Sequence, residues 1–403
     1  MTDTPLTPPS SPQSEKPWYA NFLAFLIIAL APIGQMAIDI FVPSLPLMAS
    51  EFAVDRTTVQ WSVTLYLVAF AAGQLIYGPV SDSFGRRRAL ISGILLFLCG
   101  SAISILAQTI TWFVVGRVVQ GIGVTAASVL MRAIAADRFQ GPKLAQVLTY
   151  MVIAWGVGPV IAPVLGATFQ TSVGWRYSLV FLAVYAVVLL GLVVGVMKET
   201  NRRLLPLSAS TIARGVVEIY GTLRFILIFL AMGLCYGALL SFNLVAPFMV
   251  QTVMGYGPQG FGAVALVLGA VYFGGVFSNR LLARSITTAR KFALASALAL
   301  VAAVIQVTLA IGFDLRLWAL VLPFACVVFF SGVMYPNLMA LGVSAFPHLA
   351  GLASSLLGFS LMLISAGVMG ISSLLDVHSL IPFAWLTLAL MGAVFALVRF
   401  IRP

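Results

Sequence analysis

Apolar residues run through this chain in stretches of about twenty, each closed by a short polar gap, and the pattern repeats from end to end. A helix rises about 1.5 Å per residue and a bilayer's hydrocarbon core is about 30 Å thick, so roughly 20 apolar residues make one crossing. The spacing predicts six crossing helices in the first half, near 20–42, 59–80, 89–107, 112–135, 144–169 and 175–197. Six more follow near 222–249, 260–279, 290–311, 316–342, 350–373 and 381–401. The fold class expected is all-α: twelve transmembrane helices in two pseudo-symmetric six-helix bundles.

The polar residues divide the chain further. Residues 1–17, rich in Pro, Ser and Thr, read as a disordered cytoplasmic tail, since they lack the basic start and compact apolar run of a cleaved signal. The longest internal hydrophilic stretch, 198–221, reads as a cytoplasmic linker between a bundle at 18–197 and a second at 222–403. A weak repeat relates the halves: Gly78-Pro-Val-Ser-Asp82 closes the second helix, and Gly275-Val-Phe-Ser-Asn279 closes the eighth.

Composition agrees with a lipid environment. Of 403 residues 61% are hydrophobic and 8% charged, against about 25% charged in an ordinary soluble domain. The net charge of +11 is not a nucleic-acid signature, because the cations occupy the gaps between apolar runs. Sorting alternate gaps puts Arg86, Arg87, Arg88, Arg138, Lys143, Lys198, Arg280 and Arg290 on one side and only Arg56, Arg176 and Arg316 on the other. The positive-inside rule makes the first side cytoplasmic, with both termini inside and the chain a multi-pass protein of the cell inner membrane. Cys99, Cys235 and Cys326 lie far apart in apolar runs and are expected to be small core residues.

Charge also singles out one position. Of the eleven acids only Asp39 falls clearly inside a span, and an ionised carboxylate there must be paired, hydrated or protonated. Arg117 is the deepest cation, and counting residues from the outer ends of the first and fourth helices puts the two at similar depth, within pairing reach. Two readings stand: Asp39 binds a driving proton with Arg117 modulating it, or the two form a static pair that fixes helix packing. Gln35, Met36 and Gln120, one turn from these charges, and Tyr236, Leu240 and Asn243, on one face of the seventh helix, are candidate walls of a substrate cavity. Arg132, nearer the inner end, is expected to snorkel to the interface. His348 and His378 lie in loops on opposite sides, so no metal site is expected. No nucleotide loop or catalytic constellation marks the chain as an enzyme, and no cofactor is expected.

The most specific stretch is Gly78-Pro-Val-Ser-Asp82-Ser-Phe-Gly85-Arg86-Arg87-Arg88, between the second and third helices. It resembles the second-to-third loop signature of the major facilitator superfamily, Gly-x-x-x-Asp-x-x-Gly-Arg-[Arg/Lys], with Ser83 and Arg88 departing from common choices. The resemblance implies a conformational latch of Gly78, Asp82, Gly85, Arg86 and Asp137. Arg117-Val-Val-Gln120-Gly121 looks like the family's fourth-helix motif. Gly158, Pro159, Pro163 and Gly166 match the fifth-helix motif of drug/proton antiporters, serving as hinge or seal or simply as close packing. Asp39-Ile-Phe-Val-Pro43-Ser-Leu-Pro46 and Phe346-Pro-His348-Leu-Ala-Gly351 are similar to the bicyclomycin-resistance (Bcr/CflA) subgroup. The expectation is a monomeric, proton-coupled antiporter exporting small amphipathic compounds, its partners being the small-molecule substrate, protons and the lipid bilayer. A sugar or metabolite exporter, or an uncoupled facilitator, is the alternative on the same fold.

Overall fold

A computed structural model describes residues 17–201, 209–282, 285–346 and 349–401 of the chain. The expected tail at 1–16, the middle of the linker and His348 lie outside the described residues. Among the described residues, twelve helices are long and apolar enough to cross a membrane. They are α1 (Trp18–Glu51), α2 (Arg56–Phe84), α3 (Arg86–Leu106), α4 (Ile110–Arg138), α5 (Gly141–Ser172) and α6 (Arg176–Gly195). The second bundle holds α7 (Leu223–Val253), α8 (Gly257–Leu281), α9 (Thr288–Phe313), α10 (Leu317–Ser344), α11 (Gly351–Ser372) and α12 (Ile381–Phe400).

Most helices outrun the apolar windows that announced them, because polar caps extend them past the hydrocarbon. Asp55 begins α2 by accepting the Thr58 amide at 3.1 Å, and Thr287 begins α9 by accepting the Arg290 amide. Gly85 ends α2 and opens α3 at φ 96°, a conformation that a Cβ would strain. Within the expected linker, Ala209–Tyr220 is also helical. Its Gly215 and Ile219 are buried, and the Tyr220 hydroxyl meets the Ser360 hydroxyl of α11 at 2.7 Å.

Glycine spacing sets the tightest seam. Gly93 and Gly100 on α3 face Gly116 and Gly123 on α4, both pairs seven residues apart. A Cβ on Gly100 would stand 2.6 Å from the Gly116 carbonyl oxygen, and one on Gly123 2.7 Å from that of Gly93. Lipid supplies no hydrophobic drive between helices, so such backbone approach is how van der Waals contact holds them. The two bundles meet along α2 with α11 and along α5 with α8.

The first span is not one helix. It runs as Pro17–Leu30, Ile33–Asp39, a 3₁₀ turn at Val42–Ser44, then Leu45–Glu51. Pro32, Pro43 and Pro46 lack the amide a continuous ladder needs. Asp39 therefore ends a short helix in the middle of the protein, a place where broken backbone is tolerated because it is enclosed by other helices. The cysteines correct their expectation in part: Cys235 is buried, but Cys99 and Cys326 are exposed on the outer surface. Lipid is as apolar as a core, so a free thiol there need not be covered.

Candidate functional site

Asp39 is fully buried and faces the second bundle. Its Oδ2 accepts the Gln35 side-chain amide at 2.7 Å, one helical turn back. Its Oδ1 accepts the Asn243 amide of α7 at 2.9 Å, a bond between the bundles. The Tyr236 hydroxyl donates to Gln35 Oε1 at 2.5 Å, so Gln35 relays between the α7 phenol and the α1 carboxylate. Both carboxylate oxygens and Gln35 Oε1 thus have donors, and the only charge in the cluster is that of the carboxylate.

Arg117 is not the partner of Asp39. Its Nη2 donates to the Ala37 carbonyl and its Nη1 to Gln120 Oε1, both at 2.7 Å. The guanidinium lies between the rings of Phe41 and Tyr66, 4.3 and 4.1 Å from their centroids. Residue counting gave the depth correctly but not the azimuth. Positions 37 and 39 lie about 200° apart around a helix, so Arg117 grips the back of the segment whose front carries Asp39. Carbonyl, amide oxygen and two ring faces supply a guanidinium with partners without a carboxylate.

The cavity beside this cluster has a volume of about 80 Å³ and is lined in part by Gln35, Trp155, Tyr236, Leu240, Asn243 and Tyr272. Four expected wall residues are therefore at the cavity, and two are not. Gln120 is held inside the first bundle, donating to the Ser101 hydroxyl at 2.7 Å, and Met36 is buried outside the cavity lining. Pockets for drug-sized ligands run to about 300–1,000 Å³, so the bundles must part to admit one. On the side away from the Gly78–Arg88 loop they are joined. Gln60 reaches the Leu244 carbonyl at 2.8 Å, Gln251 the Pro43 carbonyl at 2.7 Å and Arg56 the Leu375 carbonyl at 2.6 Å.

The fifth-helix residues flank the break in α1. Gly158 lies against Gln35, Gly166 against the Ile40 backbone, Pro159 lines the cavity and Pro163 is buried. A side chain at Gly166 would collide with the Ile40 carbonyl, so this glycine fixes how closely α5 supports the segment carrying Asp39.

The loop residues also converge. Arg86 Nη1 is 2.6 Å from Asp82 Oδ1, and its Nε is 3.2 Å from Asp137 Oδ2. Sequence reasoning missed Glu199, which follows α6. Its carboxylate accepts the Arg86 and Arg87 amides at 2.8 and 3.1 Å and so caps α3, packed against Gly85. An acid beside an amide-rich helix start is the favoured placement, and a lone Glu at the end of an apolar run was the available signal. Gly78 lies near Ser355 of α11. In the second bundle Asn279, at the place of Asp82, accepts Lys291 Nζ and the Asn337 amide, each at 2.8 Å. Arg132 does not snorkel: it donates to the Ser354 hydroxyl of α11 at 3.1 Å, across the bundle interface.

Comparison with known proteins agrees with this architecture. The family profile described as Major Facilitator Superfamily matches residues 24–370. The chain is 30% identical over 360 residues to the uncharacterised transporter YdgK of Bacillus subtilis, covering 85% of this chain and 86% of that one. It is 25% identical over 352 residues to multidrug resistance protein D of Escherichia coli, covering 86% and 87%. A D-xylose–proton symporter structure aligns with TM-score 0.79 at 16% identity, over 96% of this chain and 98% of that one, a likeness of fold. Twelve spans among the described residues, a two-bundle interface around a small, mainly apolar cavity and a family match over most of the length lead to one conclusion: the chain belongs to the major facilitator superfamily and is a membrane transporter.

Proposed function

We propose that the protein is a drug/proton antiporter of the bicyclomycin-resistance (Bcr/CflA) type. In this reading it exports small amphipathic compounds from the cytoplasm across the inner membrane, as a monomer with both termini inside. The observation that carries the reading is the Asp39 cluster, a single fully buried carboxylate hydrogen-bonded across the bundle interface. Support for export comes from the relatives named multidrug resistance proteins and from the aromatic cavity wall.

The cluster suggests how a proton is read. Hydrogen bonds to a charged acceptor are roughly twice as strong as neutral ones. The ionised carboxylate therefore holds Asn243 and draws α7 toward α1; a proton on either oxygen removes the charge and weakens both amide bonds together. Asp39 is then the proton carrier and Asn243 its reader on the second bundle. Arg117 acts by anchoring the α1 segment through the Ala37 carbonyl, a positioning role in place of the direct pairing expected from depth. The Asp82, Arg86 and Asp137 cluster, with Glu199 as cap, latches one of the two states, and Gly158, Pro159, Pro163 and Gly166 form the surface on which α1 moves.

The test is flux in reconstituted vesicles. A panel of amphipathic dyes is followed under an imposed pH gradient, together with proton movement. Dye accumulation that reverses with the gradient supports antiport. Accumulation indifferent to the gradient identifies an uncoupled facilitator instead.

A further inference from the structure

We infer that Arg132 is a substrate-anion site, and that the preferred ligands are planar aromatic compounds bearing a carboxylate or comparable anion. The inference rests on the proposed export only for the direction of movement, not for the binding itself.

Two arginines of α4 face the protein interior, one deep and one nearer the inner end, and they differ. Arg117 is enclosed between two ring faces and donates to two oxygens, with its buried Nε left without a partner. Arg132, on α4 about 9 Å of helix rise from the end at Arg138, is mostly buried and has neutral partners. Its Nη1 reaches the Ser354 hydroxyl at 3.1 Å and its Nη2 the Ser128 carbonyl at a long 3.5 Å. Among the described residues no carboxylate lies within ion-pair distance of it; Asp137, the nearest acid along α4, is engaged by Arg86 and the Thr200 hydroxyl. A guanidinium offers five donors in a planar fork, so most of its capacity and all of its charge remain uncompensated. An unneutralised cation at membrane depth is costly and marks a ligand path by default.

The surroundings define the rest of the ligand. From the cavity an aromatic wall leads toward Arg132: Trp155 stands 6.4 Å from Tyr236, and Tyr236 stands 6.2 Å from Tyr335, ring centre to ring centre. Tyr335 is half-buried and within electrostatic reach of the Arg132 guanidinium. A flat ring seated along this wall places an attached anion at the fork, where bidentate charge-assisted bonds form. Because Ser354 belongs to α11, an anion that takes Nη1 also replaces a bond between the bundles. Binding and opening at this end are thereby linked.

The experiment uses the purified full-length protein in nanodiscs and three ligands sharing one ring: 1-naphthaleneacetate, 1-naphthylmethylamine and 1-naphthalenemethanol. Affinities are measured by calorimetry. The acid should bind at least about tenfold more tightly than the amine, the size of one charge-assisted contact. Arg132→Gln should erase that preference and leave the alcohol unchanged, Arg132→Lys should keep part of it, and Ser354→Ala should strengthen acid binding by freeing Nη1. Equal affinities for acid and amine in the wild type, or an acid preference untouched in Arg132→Gln, overturn the inference. If Arg132→Gln does not fold, the wild-type ratio and the Ser354→Ala shift decide it. Gradient-driven dye export without any acid preference sinks this inference and leaves antiport standing. Arg132-dependent acid binding with flux blind to the gradient does the reverse.

Discussion

Replacing Asn243 with alanine removes one bond, the 2.9 Å contact that joins α7 to the Asp39 carboxylate. Asp39 is fully buried, so solvent does not screen the loss. Hydrogen bonds to charged groups contribute about 1.5–3 kcal/mol in soluble proteins, whereas interhelical bonds inside membranes average about 0.6 kcal/mol. A value of about 1–2 kcal/mol lies between them and corresponds to a shift of roughly five- to thirtyfold in the balance between closed and open arrangements. The shift can be read as a distance distribution between spin labels on cysteines placed at Ser50 and Asp376, both exposed at the end where the bundles are joined, with Cys99 and Cys326 changed to serine. Asn243→Ala should move population to the longer distance, and acid should move the wild type the same way but leave Asn243→Ala nearly unchanged. An unaltered distribution in the variant, or an acid response that survives it, refutes Asn243 as the reader of the carboxylate.

Other expectations follow from packing and capping. Gly100→Ala puts a methyl 2.5 Å from the Gln120 backbone nitrogen, and overpacking of about 1–3 kcal/mol should lower the melting temperature, while Gly191→Ala, open to its surroundings, should not. Glu199→Gln keeps an acceptor for the α3 amides but loses the charge, so a destabilisation of about 0.3–1 kcal/mol that shrinks with added salt is expected in thermal unfolding. The Thr58 hydroxyl, then its amide, hold the Asp55 carboxyl below the usual carboxylate range. A lowered folded-state value stabilises above the unfolded one and is lost as pH falls through it, so Asp55→Ala should flatten the acid limb of a stability–pH curve.

What the chain discloses by itself is what can be counted along one dimension. Span number follows from run length and needs only a tally of residues. Asp39 stood out because it was the one acid inside a span. Direction around a helix was less accessible. Depth placed Asp39 beside Arg117, yet a difference of two positions turned the carboxylate to the opposite face, toward Asn243. Gln120 was one turn from the charge but pointed at Ser101, because α4 presents that face to α3. The helix at Ala209–Tyr220 was legible in part, since Ile212, Val216 and Ile219 repeat at helical spacing within a segment whose polarity suggested only a linker. Glu199 was hidden for a different reason: its meaning comes from amides 112 and 113 residues away in sequence.

The central claim is that Asp39 carries the exchanged proton, and uphill transport in a variant without that proton site tests it most directly. Vesicles bearing Asp39→Asn, an amide of the same shape, are compared with wild type for concentrative uptake under a pH gradient and for gradient-free exchange of labelled against unlabelled dye. The account predicts that exchange persists while concentrative movement disappears. Concentrative uptake of wild-type extent by Asp39→Asn would contradict it.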